Sequence, residues 1–418
     1  MSDRNIIAVI GTEIGSHDLT REEDRERLAA AQVLAGGESL VSRWKPLCPQ
    51  ARVLLLGGGG LAFADFHEAV RQAWQDGERV VVLADGDPLY YGIGASLARI
   101  LPPESLLLLP GHSCLQTAWA RLGLPWSGAR SASLHGRDGW RELATALAGG
   151  QPVCILGDAA HGAPQVAAWL LERGLQGSLH RFAGLNTPRE IHDVYSLEEA
   201  AARTEQEAMP LLLFMPDAAC RPAARLNPSG LIADGALITK PAVRAAVVAL
   251  MRIRSDAVVW DIGSGSGSIA FAAADLAWNG WVCAVEGQAK RSAMIRENRR
   301  LLQAVNVDVL TARAPEGMEA LPDPDCVNVG GGLGDTADAA SALLKAVAAR
   351  LRPGGRVTAP CVLMGSVTLF LDFARARGWA CGATLIQASE LAPLGGGERF
   401  EAQNPVFAAW AEKPLTSS

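Results

Sequence analysis

No C-x-x-C pair occurs among the eight cysteines, Cys48, Cys114, Cys154, Cys220, Cys283, Cys326, Cys361 and Cys381. Their scatter argues against a zinc site or a disulfide framework, so we expect reduced core thiols, no metal, and a cytoplasmic protein. Basic runs are missing too, and the net charge of −6 excludes a nucleic-acid backbone as an obvious partner. No apolar run is long enough to span a bilayer, and the short one after Met1-Ser2-Asp3-Arg4 lacks the length of a signal-peptide core, so no membrane partner is expected. There is no low-complexity tract and no internal repeat. With 49% hydrophobic and 20% charged residues the chain reads as globular, and at 418 residues it exceeds one core's usual size.

The stretch "VVWDIGSGSGSIA" (Val258 to Ala270) carries the strongest local signal. A β-branched run ending in Asp261, a loop with Gly263, Gly265 and Gly267, and an apolar helix start form the first strand-turn-helix of a doubly wound α/β domain. Glycine there permits positive φ and close approach to the unpaired N–H groups of the next helix. A nicotinamide fingerprint G-x-G-x-x-G/A requires Gly or Ala at 268, where the chain has Ser268, so an oxidoreductase is disfavoured. The next strand, "WVCAVE", ends in Glu286, placed to accept two ribose hydroxyls.

The first half alternates strand-like runs ("NIIAVIG", "RVLLLG", "RVVVLADGDP", "SLLLLPG", "PVCILGD", "PLLLFMPD") with helical patterns. Thr20-Arg21-Glu22-Glu23 has capping-box spacing. Periodicity breaks from Asp217 to Asp234, which we take as a linker between a unit at 1–216 and a unit at 235–418. Lys240-Pro241 opens a helix, and "WVCAVE", "VDVLTA", "DCVNVGGG" and "GRVTAPCVLM" continue a βαβαβ pattern.

Asp261, the G-x-G-x-G loop and Glu286 together resemble the S-adenosylmethionine site of class I methyltransferases. In the first half, "ADGDPLYYGIG", "PGHSCLQ", "ARLGLPW" and "SLHGR" follow in the order of the tetrapyrrole methylase family, specifically its C5-methylating branch in cobalamin biosynthesis. "LITKPAVRA", "WDIGSGSGSIA", "ARAPEGM" and "PDCVNVGGG" resemble the partner enzyme that methylates C15 and decarboxylates the ring C acetate. The resemblance implies an N-terminal tetrapyrrole methylase fold of two α/β subdomains, fused to a C-terminal Rossmann-like class I methyltransferase domain. It further implies a bifunctional enzyme that takes reduced precorrin-6 (precorrin-6B) to precorrin-8, with two S-adenosylmethionine sites per chain. A homo-oligomer acting on this small-molecule tetrapyrrole is expected.

For the first-half cofactor site the resemblance implies Asp85, Gly86, Asp87, Tyr90, Ser113 and Cys114. For the second it implies Asp261, Gly263, Gly265, Gly267, Glu286, Arg313, Ala314 and Gly331. His135 is the candidate base, set against a structural role in a turn. Acetate and propionate groups favour cationic clamps, for which Arg137, Lys240 and Arg244 are the candidates; solvated surface charge is the competing reading of Lys240 and Arg244. The chain departs from the family at Gly11-Thr12-Glu13-Ile14-Gly15, which lacks a proline, at Cys114 in place of a serine, and at Ala272 in place of a glutamate. An alternative therefore stays open, in which the first half only holds tetrapyrrole and the second alone is catalytic. An RNA methyltransferase would explain the second half but not the acidic balance.

Overall fold

The computed structural model describes residues 6–19, 21–204, 209–217, 230–233, 239–334 and 336–415. Its first sheet is wholly parallel, in the order β3-β2-β4-β1-β5, from β1 (Ile7–Thr12), β2 (Val33–Gly36), β3 (Arg52–Leu55), β4 (Val80–Asp85) and β5 (Leu106–Leu109). These strands are near-continuous apolar runs because helices cover both faces: α1 (Glu22–Ala29) and α2 (Glu38–Trp44) on one, α3 (Phe63–Gln75) and α4 (Ile93–Leu97) on the other. Thr20 of the expected capping box lies outside the described residues, and α1 begins at Glu22.

After α5 (Cys114–Leu122) the chain enters a second, mixed sheet in the order β6-β7-β10-β8-β9. Its strands are β6 (Arg130–Ser133), β7 (Val153–Leu156), β8 (Gly177–Ala183), β9 (Ile191–Ser196) and β10 (Leu211–Pro216); only β6 and β7 are parallel. Helices α6 (Trp140–Leu147), α7 (Ala163–Glu172) and α8 (Leu197–Ala201) pack on it. Of the expected linker, residues 218–229 and 234 lie outside the described residues.

The third sheet, β13-β12-β11-β14-β15-β19-β16, begins parallel and ends antiparallel. Helices α9 (Pro241–Met251), α10 (Ser268–Leu276) and α11 (Ala289–Leu301) cover one face of β11 (Val258–Ile262), β12 (Trp281–Glu286) and β13 (Val307–Thr311). On the other face α12 (Ala337–Arg350) and α13 (Met364–Arg375) flank β14 (Cys326–Val329) and β15 (Arg356–Cys361). The chain closes with β16 (Ala380–Ile386), a hairpin of β17 (Ser389–Leu394) and β18 (Gly397–Ala402), and β19 (Val406–Glu412). This architecture is the expected α/β class: two α/β subdomains followed by a doubly wound sheet. The seven described cysteines are free thiols. Among the described residues no helix is long and apolar enough to cross a membrane.

Candidate active sites

In a parallel α/β sheet, ligands lie beyond the carboxyl ends of the strands. At that edge of the third sheet the loop after β11 turns on three left-handed glycines, Gly263, Gly265 and Gly267 (φ 71°, 61° and 83°). Each has a separate reason. A Cβ on Gly263 would stand 2.7 Å from the Gly331 nitrogen, so the loops after β11 and β14 touch backbone to backbone. One on Gly267 would stand 2.6 Å from the Phe271 ring, a packing demand of α10 rather than a ligand's. Gly265 turns its N–H to Glu286 Oε2 at 2.9 Å.

Asp261 is 1% exposed and organises this loop from beneath. Its Oδ2 accepts from Ser264 Oγ (2.6 Å) and the Ala270 N–H (3.1 Å), and its Oδ1 accepts from Asn328 Nδ2 (2.7 Å). Burial pushes its carboxyl above the ordinary range against the pull of these donors. Glu286, 6% exposed, accepts from Gly265 through one oxygen and from the Gln288 N–H (2.9 Å) through the other. Each oxygen keeps a second lone pair, so the carboxylate fits a ribose diol without losing its loop contacts. The exposed Arg313 and the neighbouring Ala314 run past the end of β12, with the Arg313 Cα 3.5 Å from where a Cβ on Gly287 would stand. Asp261, the loop, Glu286, Arg313, Ala314 and Gly331 thus converge on one edge.

The structure separates the two cationic candidates of this half. Lys240 is exposed at the start of α9. Arg244 is 2% exposed, donates from Nη1 to the Thr239 carbonyl (3.0 Å), and has its pKa lowered by burial, so solvated surface charge does not describe it.

At the first half's edge, the ends of β1, β4 and β5 press together through Gly11, Gly86 and Gly111. A Cβ on Gly11 would stand 2.3 Å from both the Gly111 nitrogen and the Gly86 oxygen. Asp85 ends β4 with His17 Nε2 at 3.9 Å, and burial raises its carboxyl above the ordinary range. Asp87 caps its own turn, accepting from the Leu89 N–H at 2.8 Å. The Tyr90 hydroxyl is buried, and burial pushes its ionisation far upward. Ser113 is the N-cap of α5 in a full capping box with Gln116, and burial lifts the Cys114 thiol to about 11.

His135 is exposed on the loop after β6, where Asp158 Oδ2 accepts from the Gly136 N–H (2.8 Å). Arg137, in the second subdomain, reaches the first. Its guanidinium lies 5.2 Å from the Tyr91 ring centre and 3.3 Å from Glu142, and the Tyr91 hydroxyl also bonds Glu142. The second subdomain's loop is thereby joined to the Gly-Asp-Pro turn.

Sequence reasoning missed several neighbours of these sites. Glu13 Oε1 pairs with His112 Nδ1 at 2.6 Å, joining the loops that follow the neighbouring strands β1 and β5. Asn298 bonds both Ile232 and the Ser266 carbonyl, pinning residues ahead of α9 to the glycine loop. Val362, Leu363 and Met364 follow β15 and are 63, 62 and 62% exposed. Asn328 pairs with Thr358 in the parallel register, which carries these three residues past β15 to the level of the loop that follows β14. A run of three exposed large apolar residues was the one available signal for that last group.

Two sequence families divide the chain. Residues 7–186 match the Tetrapyrrole (Corrin/Porphyrin) Methylases, and residues 231–413 match the Precorrin methyltransferase domain. The fold and its two glycine-lined edges therefore define a tetrapyrrole methylase joined to a precorrin methyltransferase domain. The chain is 29% identical over 346 residues to a Sinorhizobium precorrin-6Y C(5,15)-methyltransferase [decarboxylating], covering 79% of each. Its second half is 31% identical to the Salmonella typhi cobalt-precorrin-6B C(15)-methyltransferase (decarboxylating), covering 42% of this chain and 89% of that one. Its first half is 28% identical to the Salmonella typhimurium cobalt-precorrin-7 C(5)-methyltransferase, covering 48% of this chain and 95% of that one. The chain belongs to the family of precorrin-6Y C5,15-methyltransferases (decarboxylating).

Proposed function

We propose that this chain methylates C5 and C15 of a reduced precorrin-6 and removes the carboxylate of its ring C acetate, with one S-adenosylmethionine site in each half. The observation that carries this reading is the pair of glycine-lined strand edges, one where Gly11, Gly86 and Gly111 meet and one where Gly263 meets Gly331. When bound, S-adenosylmethionine supplies an activated methyl group, so the protein's tasks are alignment, exclusion of water and handling of protons.

In the second half the Glu286 carboxylate, held against the loop by the Gly265 N–H, would hold the cofactor, with Arg313 and Ala314 bordering its adenine. Asp261 would act at one remove, by fixing the loop's shape. Val362, Leu363 and Met364 offer an apolar floor for the macrocycle, and Lys240 an exposed ammonium for one of its carboxylates. Decarboxylation then needs the protein only to desolvate the acetate and return a proton to carbon, since the conjugated ring accepts the electron pair. In the first half Asp85, Gly86, Asp87, Tyr90, Ser113 and Cys114 border the proposed cofactor site. His135 is the proposed base there, and Arg137, steadied by Tyr91 and Glu142, the carboxylate clamp. A purely scaffolding first half is not favoured, since its own curated-function relatives include a C(5)-methyltransferase.

The test is a mass measurement on the product formed from reduced precorrin-6 and S-adenosylmethionine. Gain of two methyl groups with loss of one carbon dioxide is expected; gain of a single methyl group would restrict catalysis to one half.

A further inference from the structure

The connection from β13 to β14 holds one short 3-10 turn, Met318–Ala320, where a parallel crossover ordinarily carries an α-helix. Without that helix one face of β12 would lack cover from its own domain. Val282 and Ala284 point to the side of α9, α10 and α11, while Trp281 and Cys283 point to the other. Yet Trp281 is only 6% exposed and Cys283 only 2%. Both belong to an apolar cluster that continues into the first half through Leu143, Leu147, Val166 and Leu170, with Trp140 and Trp169 packed against it.

Polar groups lock the same contact. Arg173, just after α7, donates from Nε to the Val305 carbonyl (3.1 Å) and from Nη2 to Asp308 Oδ1 (2.7 Å). Asp308 Oδ2 in turn accepts from Trp281 Nε1 (3.2 Å). In the opposite sense, Arg299 of α11 donates to Glu172 Oε1 (2.5 Å) and Gln303 to the Gly174 carbonyl (3.2 Å). Both guanidinium side chains are almost wholly buried, at 4% and 3% exposed. Gly174 has φ +74°, and a Cβ there would stand 2.1 Å from the Arg300 carbonyl oxygen. Buried cations of this kind are tolerated only while their partners stay in place.

We propose that α6 and α7 of the first half are the missing cover of β12 and β13, so that the two halves form one docked unit that outlasts cleavage of the chain between them. The contact sits at the amino ends of β12 and β13. Trp281 and Glu286 are the first and last residues of β12, which at about 3.3 Å per residue puts them about 17 Å apart. The docking surface and the cofactor edge are thus distinct places.

The experiment inserts a protease site between residues 218 and 229 of the full chain, cuts it, and follows the products by size exclusion at micromolar concentration. Cut wild-type halves should co-elute at the uncut position. Arg173→Glu should separate them, and Arg173→Glu combined with Asp308→Arg should bring them back together. Gly174→Ala, which blocks the backbone approach, should also separate them. Cut wild-type halves that elute apart, each folded by circular dichroism, would overturn the proposal; that result also decides the matter should Arg173→Glu fail to fold. Because no activity is read, the outcome is independent of the methyltransferase assignment.

Discussion

Asn328 Nδ2 lies 2.7 Å from Asp261 Oδ1, tying the ends of two neighbouring parallel strands beneath the glycine loop. Asp261 also receives Ser264 Oγ and the Ala270 N–H, so its carboxylate is the loop's internal frame. Asp261→Ala leaves three buried donors unsatisfied, at about 1–3 kcal/mol each before relaxation. Chemical denaturation should show the second half destabilised. Calorimetry should show S-adenosylmethionine affinity lost there and retained in the first half.

Glu286 tests the same edge from the ligand's side. With one lone pair per oxygen already used by Gly265 and Gln288, a ribose diol would take the remaining two. Glu286→Ala should lower second-half affinity by about 1.5–3 kcal/mol. Glu286→Asp, with a shorter reach, should fall between the two. Unaltered calorimetric affinity would remove Glu286 from the site.

In the first half the corresponding test is steric. A Cβ on Gly11 meets backbone on two sides at 2.3 Å, and neither neighbour is a side chain that can swing away. Gly11→Ala should therefore abolish methylation at C5 while C15 methylation and decarboxylation continue. NMR of product made with isotope-labelled methyl groups distinguishes the two carbons.

The loop that carries His135 has a built-in acid limit. Asp158 is drawn down to about 2, first by the Gly136 N–H and then by His161 and the Ala160 and His161 amides. A depressed carboxyl stabilises above its unfolded pKa of about 3.9 and loses that contribution as pH falls through the folded value. The Gly136 amide resonance should therefore hold steady down to about pH 3 and shift below it with a midpoint near pH 2, the folded value. Asp158→Asn should abolish that titration and, by freeing the loop, slow C5 methylation at neutral pH.

How far the sequence exposes all this depends on separation along the chain. The glycine loop, Glu286 and the alternation of strands and helices are local patterns, and they stand where the pattern puts them. Asp87 and Ser113 are local as well, and the structure gives them the duties of turn and helix caps. Glu13 and His112 are 99 residues apart, Ile232 and Asn298 are 66, and Arg173 and Asp308 are 135. No periodicity links such pairs. The antiparallel return of β19 between β15 and β16 was equally hidden, because its alternation resembles that of any edge strand.

Val362, Leu363 and Met364 give the most direct test of where the macrocycle lies. Three consecutive large apolar side chains, each more than 60% exposed, are out of place on a surface unless something covers them. They stand beyond β15, past the Pro360–Cys361 end of a strand whose neighbour β14 leads into Gly330 and Gly331, beside the Gly263 contact. A flat, largely apolar ring with a carboxylate rim suits such a floor, and Lys240 is an exposed cation in the same half. Burying one such side chain against a ligand is worth about 1.5–3 kcal/mol. Leu363→Ala, which leaves the N-cap of α13 as poor as before, should therefore raise KM for the tetrapyrrole in C15 methylation by about tenfold or more, since tenfold corresponds to about 1.4 kcal/mol. S-adenosylmethionine affinity, thermal stability and C5 methylation should stay as they were, because Leu363 is exposed and supports no core. A lowered kcat with unchanged KM would place the ring elsewhere along the edge.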